Sequence, residues 1–319
     1  MRVNPERLRL ETSTFCQLRC PSCPTTQKAI DEALGRGFLT FARFKRFLDE
    51  NDWIKELELS NYGEPFLNQE LPDILQYADR KAVSITLENG ANFNSVSDAA
   101  LEAVVQHGVR AMVISIDGAT QEVYSRYRVR GMLDRVLANI RRINHFKTLY
   151  ERSAPLLIWQ FIIFGYNEHE LPQAKAMARG LGMAFFPKLS WDEERSPIRD
   201  PEFVKRETGL VATSRTEFRT RFHKEYLDGI CTQLWKNPQI NWDGTVLGCC
   251  RNFWGNFGSN AFETPALEAI NSEPMQYARQ MLRGAAKERA DIPCTTCSVY
   301  LQRKVSGNWV TVRKEPGIS

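Results

Sequence analysis

Cys16, Cys20 and Cys23 stand at the spacing C-x3-C-x2-C, in the segment Glu11-Thr-Ser-Thr-Phe-Cys-Gln-Leu-Arg-Cys-Pro-Ser-Cys-Pro24. Three thiolates on one short loop suit a [4Fe–4S] cluster in which one iron lacks a protein ligand, since soft sulfur donors select iron–sulfur centres or zinc. A zinc site more often shows paired C-x2-C or Cys/His spacing with a fourth ligand nearby. Here the first histidine is His107. An iron left open can bind a small molecule and pass it an electron.

The remaining five cysteines lie in the last third of the chain: Cys231, the Cys249-Cys250 doublet, Cys294 and Cys297. Asn241-Trp-Asp-Gly-Thr245 precedes the doublet and reads as a hairpin with its turn at Asp243-Gly244. Neighbours on a strand point to opposite faces, so both cysteines of the doublet should not ligate one centre. One thiol is left over. A spare buried cysteine is most often a small hydrophobe, but beside a carbon radical a thiol is a hydrogen-atom donor.

The elements that must position these groups alternate. Leu8–Thr14 reads as a strand entering the first cysteine loop, and strand-like runs recur at 57–60, 83–87, 112–116, 156–164 and 184–189. Between them lie amphipathic helical stretches. Thr40 can cap a helix with Phe41, Phe44, Phe47 and Leu48 on one face. Leu101, Val104 and Val105 lead to Gly108, and Leu133, Val136, Leu137, Ile140 and Ile143 form another apolar stripe. The alternation predicts an α/β fold, a parallel sheet with helices on its outer face. Functional groups in such folds gather at the C-terminal ends of the strands.

The cysteine loop with its strand-helix context resembles the radical S-adenosylmethionine (SAM) superfamily. The resemblance implies a partial (β/α)6 barrel over 1–190. Asn61-Tyr62-Gly63-Glu64-Pro65 resembles the family's Gly-Gly-Glu motif, with Tyr62 in place of the first glycine. By that likeness Gly63 and Glu64 hold the SAM amino group. Glu88-Asn89-Gly90 is similar to Thr-Asn-Gly, although Asn-Gly is also a common turn. Ser115 and Asp117 would face the SAM amino acid and ribose, Arg128 its carboxylate, and Asn167 its adenine. The family's aromatic residue before the third cysteine is here Ser22.

The C-terminal cysteines resemble the SPASM/twitch extension of the same superfamily. No cysteine follows Cys297, which fits the shorter twitch form with one auxiliary [4Fe–4S] cluster; a zinc ribbon is the rival. The expected organisation is a barrel over 1–190, a bridge over 191–230, the cluster domain over 231–300 and a tail over 301–319. The expected ligands are Cys231, Cys250, Cys294 and Cys297, with Cys249 as hydrogen donor. The spacing Gly244-x4-Cys249 favours the opposite assignment of the doublet, whereas the likeness to the aminoglycoside-epimerase members favours this one.

The resemblance implies an enzyme with two [4Fe–4S] clusters that cleaves SAM and abstracts hydrogen from a C–H bond. The single auxiliary cluster and the spare thiol point to epimerisation of an aminoglycoside sugar. Asp192, Glu193, Glu194, Asp243 and Glu88 are candidate acids for the polyamine. The alternatives are a dehydrogenase of an aminocyclitol or sugar alcohol, and a peptide-modifying enzyme. Peptide-maturing members often carry an N-terminal recognition domain; with the cysteine loop at residue 16 none is expected here, though a separate partner could supply one. A non-enzymatic electron-transfer protein would lack a reason for the motifs at the strand ends. A flavodoxin or ferredoxin would supply electrons.

Composition agrees with this class. The 319 residues carry a net charge of +4, with Lys and Arg dispersed, so no nucleic-acid surface is expected. The opening Met1-Arg-Val-Asn-Pro has no apolar core of a signal peptide, and no long apolar run suggests a membrane span. Cysteine use fits clusters in a cytoplasmic, reducing setting better than disulfides.

Overall fold

The computed structural model describes residues 1–312. Among them, eight strands form one sheet: β1 (Arg7–Leu10), β2 (Glu56–Glu58), β3 (Ser84–Ala91), β4 (Ala111–Ser115), β5 (Leu156–Ile163), β6 (Ala184–Leu189), β7 (Gln239–Ile240) and β8 (Val246–Gly248). Their order is β6-β5-β4-β3-β2-β1-β7-β8. Strands β1 to β6 pair in parallel along the sheet, Leu8 opposite Leu57, Leu57 opposite Ile85 and Ile158 opposite Ala184. Such strands are buried on both faces and read as apolar runs. Leu8, Leu57, Met112, Ile114, Leu157 and Trp159 are fully buried.

The helices form where caps and apolar stripes coincide. Thr40 accepts from Arg43 N at 3.4 Å at the start of the helix Phe41–Glu50, which buries Phe44, Phe47 and Leu48. Ser97 does the same for Ala100 N at 3.2 Å, and the helix Asp98–Gln106 buries Leu101, Val104 and Val105. The longest helix, Leu133–Leu149, buries the five expected apolar residues. The α/β, partial-barrel expectation for the N-terminal part is what the structure shows.

Two strands differ from expectation. β1 stops at Leu10 rather than Thr14 because the polar residues after it find other partners: Thr12 Oγ1 donates to Leu59 O at 2.9 Å and Asn68 Nδ2 donates to Thr12 O at 3.1 Å. β3 runs on through Asn89-Gly90 to Ala91, with a register shift after Leu87. Gly90 sits at φ +119°, which only glycine adopts freely, so the dipeptide is an irregularity within a strand and not a turn.

The C-terminal segment does not stand apart. β7 pairs in parallel with β1 (Leu10 opposite Ile240), and β7 and β8 form the expected antiparallel hairpin. Its turn has Gly244 at φ +95° and Asp243 Oδ1 accepting from Thr245 N at 3.0 Å. The Cys249-Cys250 doublet therefore follows directly on a strand of the same sheet whose first strand leads into the first three cysteines. Buried Arg279 ties the region to the N-terminus, donating to Leu234 O, Ile270 O and Met1 O. The bridging segment holds the helices Pro201–Thr208 and Arg215–Phe222. Of the tail, residues 313–319 lie outside the described residues.

Candidate functional site

A cavity of about 220 Å³ opens at the C-terminal ends of β1 to β5. Its wall includes Cys16, Cys20, Cys23, Gly63, Glu64 and Ser115, with Arg128 beside them. The loop carrying the cysteines is pinned on both sides. Cys23 N donates to Cys20 O at 3.0 Å, and Arg19 N donates to Val129 O at 3.0 Å. Two sulfurs face donors: Asn92 Nδ2 donates to Cys16 Sγ at 3.5 Å, and Arg128 Nη1 to Cys20 Sγ at 3.7 Å. Burial, then the charge of Glu64, pushes the Cys16 thiol up to about 12. Burial also raises Cys20, against the pull of Arg128. Bare thiolates at Cys16 and Cys20 are thus disfavoured here, while a cationic iron centre deprotonates its thiols outright.

Gly63 and Glu64 have separable roles. A side chain at Gly63 would lie 1.9 Å from the carbonyl oxygen of Ser13, and Glu64 N donates to Phe15 O at 2.7 Å. Glycine lets the β2 turn press against the cysteine loop. Glu64 is 2 % exposed. Its Oε2 accepts from Asn92 N at 2.7 Å; among the described residues no donor meets buried Oε1 in good hydrogen-bond geometry, although the Phe66 and Phe93 amides also stabilise the carboxylate. Burial raises its carboxyl to about 7. A buried acceptor without a donor, on the wall of a cavity, fits an ammonium group such as that of SAM.

Ser115 lines the cavity and accepts from Gln160 Nε2 at 3.3 Å. Arg128 lines it too, with Nε donating to Asp117 Oδ2 at 2.6 Å. Asp117 and Asn167 differ from expectation: both are fully buried behind the wall. Asp117 accepts from Arg128 and from Ile162 N at 2.7 Å. Asn167 Nδ2 donates to Asp117 O and Ile162 O, and its Oδ1 accepts from Phe164 N. Their hydrogen bonds go to Arg128 and to the end of β5, which they help to place.

Ser22 hydrogen-bonds to Asp192, while beside the loop Tyr127 tilts against Phe164 and Phe164 stacks on Tyr166, with centroids 4.9 and 5.3 Å apart. These rings pack with Leu18 and Cys20. Asn92, Gln160 and Tyr127 were not singled out from the sequence. A strand end near Asn89-Gly90 was the available signal for Asn92.

Cys249 lies within electrostatic reach of Cys250, Cys231 and Cys297, and Cys294 within reach of Cys249, Cys231 and Cys297. Burial raises the Cys249 thiol first, then repulsion from Cys250 and Cys231, and further on from Cys297. Cys294 is raised by burial, then by Cys249, Cys231 and Cys297. Cys250 is held by Gln233: its N–H donates to Gln233 Oε1 at 2.8 Å, and its Sγ accepts from Gln233 Nε2 at 3.4 Å. It lines a second cleft that shares Asn89 with the first cavity. The expected division makes Cys250 a ligand and Cys249 the hydrogen donor. Gly248 at φ +78° lets the chain turn out of β8 just before the pair, so simple strand alternation did not decide which one faces inward.

Between the two groups stands Tyr62, on the wall of the first cavity, its hydroxyl raised by burial and then by Cys250 and Cys249. Among the described residues no three Cys, His, Asp or Glu side chains converge on a point suited to one metal ion. Cysteines on a multi-iron cluster bind separate irons, and so stand wider apart than ligands of one ion.

Residues 231–298 match the SPASM family, an iron–sulfur cluster-binding domain. The match takes in all five C-terminal cysteines. No curated protein matches the chain significantly in sequence. The fold is similar to Streptococcus suis SuiB, at TM-score 0.61 and 13% identity over 93% of this chain and 71% of that one. It is also similar to BtrN in complex with AdoMet and 2-DOIA, at TM-score 0.51 and 14% identity over 93% of this chain and 94% of that one. The chain thus has the mostly parallel α/β fold of these proteins with a SPASM region at its C-terminal end. No helix among the described residues is long and apolar enough to cross a membrane.

Proposed function

We propose that the chain is a radical SAM enzyme with a second cluster in its C-terminal region, and that it inverts a C–H stereocentre. The observation that carries this reading is the cavity where Cys16, Cys20 and Cys23 meet the unpartnered Oε1 of Glu64 and the guanidinium of Arg128. Those three cysteines would hold a [4Fe–4S] cluster, Glu64 the SAM ammonium and Arg128 its carboxylate. When bound and reduced, that pair supplies a 5′-deoxyadenosyl radical able to abstract hydrogen from carbon.

The chain's own residues do the rest. Asp117 and Asn167 hold Arg128 and the β5 end in place. Tyr127, Phe164 and Tyr166 offer an apolar wall for an adenine. Cys231, Cys249, Cys294 and Cys297 would bind the auxiliary [4Fe–4S] cluster, and Cys250, outside that group, is the thiol able to return hydrogen from the opposite face. The roles of the doublet are thus exchanged relative to the sequence-based assignment.

The finer reaction implied by the sequence resemblance is conversion of neomycin C to neomycin B at C5‴. The acids such a polyamine requires are mostly engaged. Glu88 pairs with Arg7 at 2.9 Å, Asp243 accepts from Thr245 N and Asn241 Nδ2, Asp192 bonds Ser22, and Glu193 accepts from Thr216 N. The cysteine arrangement therefore supports the type of reaction more strongly than this substrate. A dehydrogenase of a sugar alcohol is the second reading, since it needs both clusters but no thiol. Anaerobic turnover in deuterated water separates the two. An epimerase that uses Cys250 delivers one solvent deuterium to the inverted carbon, and a dehydrogenase releases a carbonyl product without it.

A further inference from the structure

The second cleft, beside Cys250, has a volume of about 660 Å³, within the usual range of small-molecule sites. Its wall includes three cationic side chains, Arg7, Lys188 and Lys236, of which Lys236 is partnered. Arg7 is already matched by Glu56 and Glu88. Lys188 forms no ion pair among the described residues: one of its three N–H groups donates to Gln160 Oε1 at 3.0 Å. Gln160 in turn donates to Ser115 Oγ, so Lys188 lies at the end of a hydrogen-bonded line leading from the first cavity into the cleft.

A second cation backs it. Arg215 donates Nε and Nη2 to Leu189 O, at 3.3 and 3.0 Å, and lies 5.1 Å over the ring of Tyr226, a wall residue of the cleft. It also has no carboxylate within ion-pairing distance among the described residues. Burial lowers Arg215 to about 10, and burial followed by repulsion from Arg215 lowers Lys188. Half-buried cations that repel one another cost stability unless an anion offsets them.

We propose that the substrate of this site carries an anionic group, a carboxylate or a phosphate, which docks on Lys188 in the cleft facing Cys250. This rests on the reading of the paired cavities as a radical SAM active site. The anion fixes the substrate at one end, which lets a neighbouring carbon lie between the first cavity and the Cys250 thiol. An unmodified polyamine would meet like charge at the same place.

The test is anaerobic calorimetric titration of the reconstituted enzyme, with SAM present. The probes are UDP-glucose for phosphate, a triglutamate peptide for carboxylate and neomycin for a polycation. One of the two anionic probes should bind more tightly than neomycin. Lys188→Gln should weaken that probe about tenfold or more, as loss of a charge-assisted contact does, and Lys188→Arg should restore most of it. Tighter binding of neomycin, binding of neither anionic probe, or unchanged affinity in Lys188→Gln would each overturn the proposal. If Lys188→Gln loses C-terminal iron while anion affinity stays, the cations balance a cluster instead, and the proposal also fails. Substrate-free formation of 5′-deoxyadenosine by the reduced wild-type enzyme checks the underlying reading separately: its absence refutes that reading, whereas its presence with failed anion binding refutes only this one.

Discussion

At the scale of single residues, the doublet carries the sharpest expectation. Cys249 shares its surroundings with Cys231, Cys294 and Cys297, whereas Cys250 meets Gln233 and the cleft. Cys249→Ala should lose iron from the C-terminal site. Cys250→Ala should keep the iron of both sites and still cleave SAM, but release no inverted product, and its trapped substrate radical should be visible by electron paramagnetic resonance. The opposite pattern of iron loss restores the sequence-based assignment. Glu64 is the other informative residue. If its lone Oε1 receives the SAM ammonium, Glu64→Gln should weaken SAM binding by about tenfold, the worth of one charge-assisted hydrogen bond. Equilibrium dialysis with the reconstituted variant measures this. Unchanged SAM affinity would assign Glu64 to the frame alone.

At the scale of elements, the β2 turn and the cysteine loop depend on each other. A methyl group at Gly63 would meet the Ser13 carbonyl at 1.9 Å, a contact the backbone cannot relieve by a rotamer change. Gly63→Ala should therefore destabilise the chain by about 1–3 kcal/mol and loosen the cysteine loop, read as a lower thermal midpoint together with weaker cluster retention. Six parallel strands and their helices were legible in the sequence, because apolar runs and caps such as Thr40 and Ser97 announce themselves locally. The union of β7 with β1 was not: two residues pairing across 230 positions leave no periodic trace. That Cys16, Cys20, Cys23 and Glu64 line one cavity was legible, because each stands in a motif whose chemistry demands its residue type. The sequence was misleading where a polar side chain at a strand end serves the frame, as at Asp117 and Asn167. Their hydrogen bonds to Ile162 N and Phe164 N depend on the tertiary path of β5.

At the scale of the whole molecule, two fully buried acids couple the fold to pH. Burial raises Glu11 to about 8 and Glu64 to about 7, both above their ordinary value near 4.5. Because the folded state holds these protons more tightly than the unfolded chain, their contribution is complete below about pH 4.5 and is lost as pH rises through 7 and 8. The iron-free protein should become easier to unfold in urea between pH 5 and 8, and Glu11→Gln should flatten part of that slope; a slope unchanged by the substitution would place its origin elsewhere. An enzyme with two clusters is the central claim. It is tested most directly by anaerobic reconstitution, chemical reduction and addition of SAM, with iron and 5′-deoxyadenosine measured for the wild type and for the variant with Cys16, Cys20 and Cys23 all changed to Ala. The account predicts two clusters and 5′-deoxyadenosine from the wild type, and one remaining cluster with no 5′-deoxyadenosine from the variant. Equal SAM cleavage by both proteins, or none by the wild type, would contradict it.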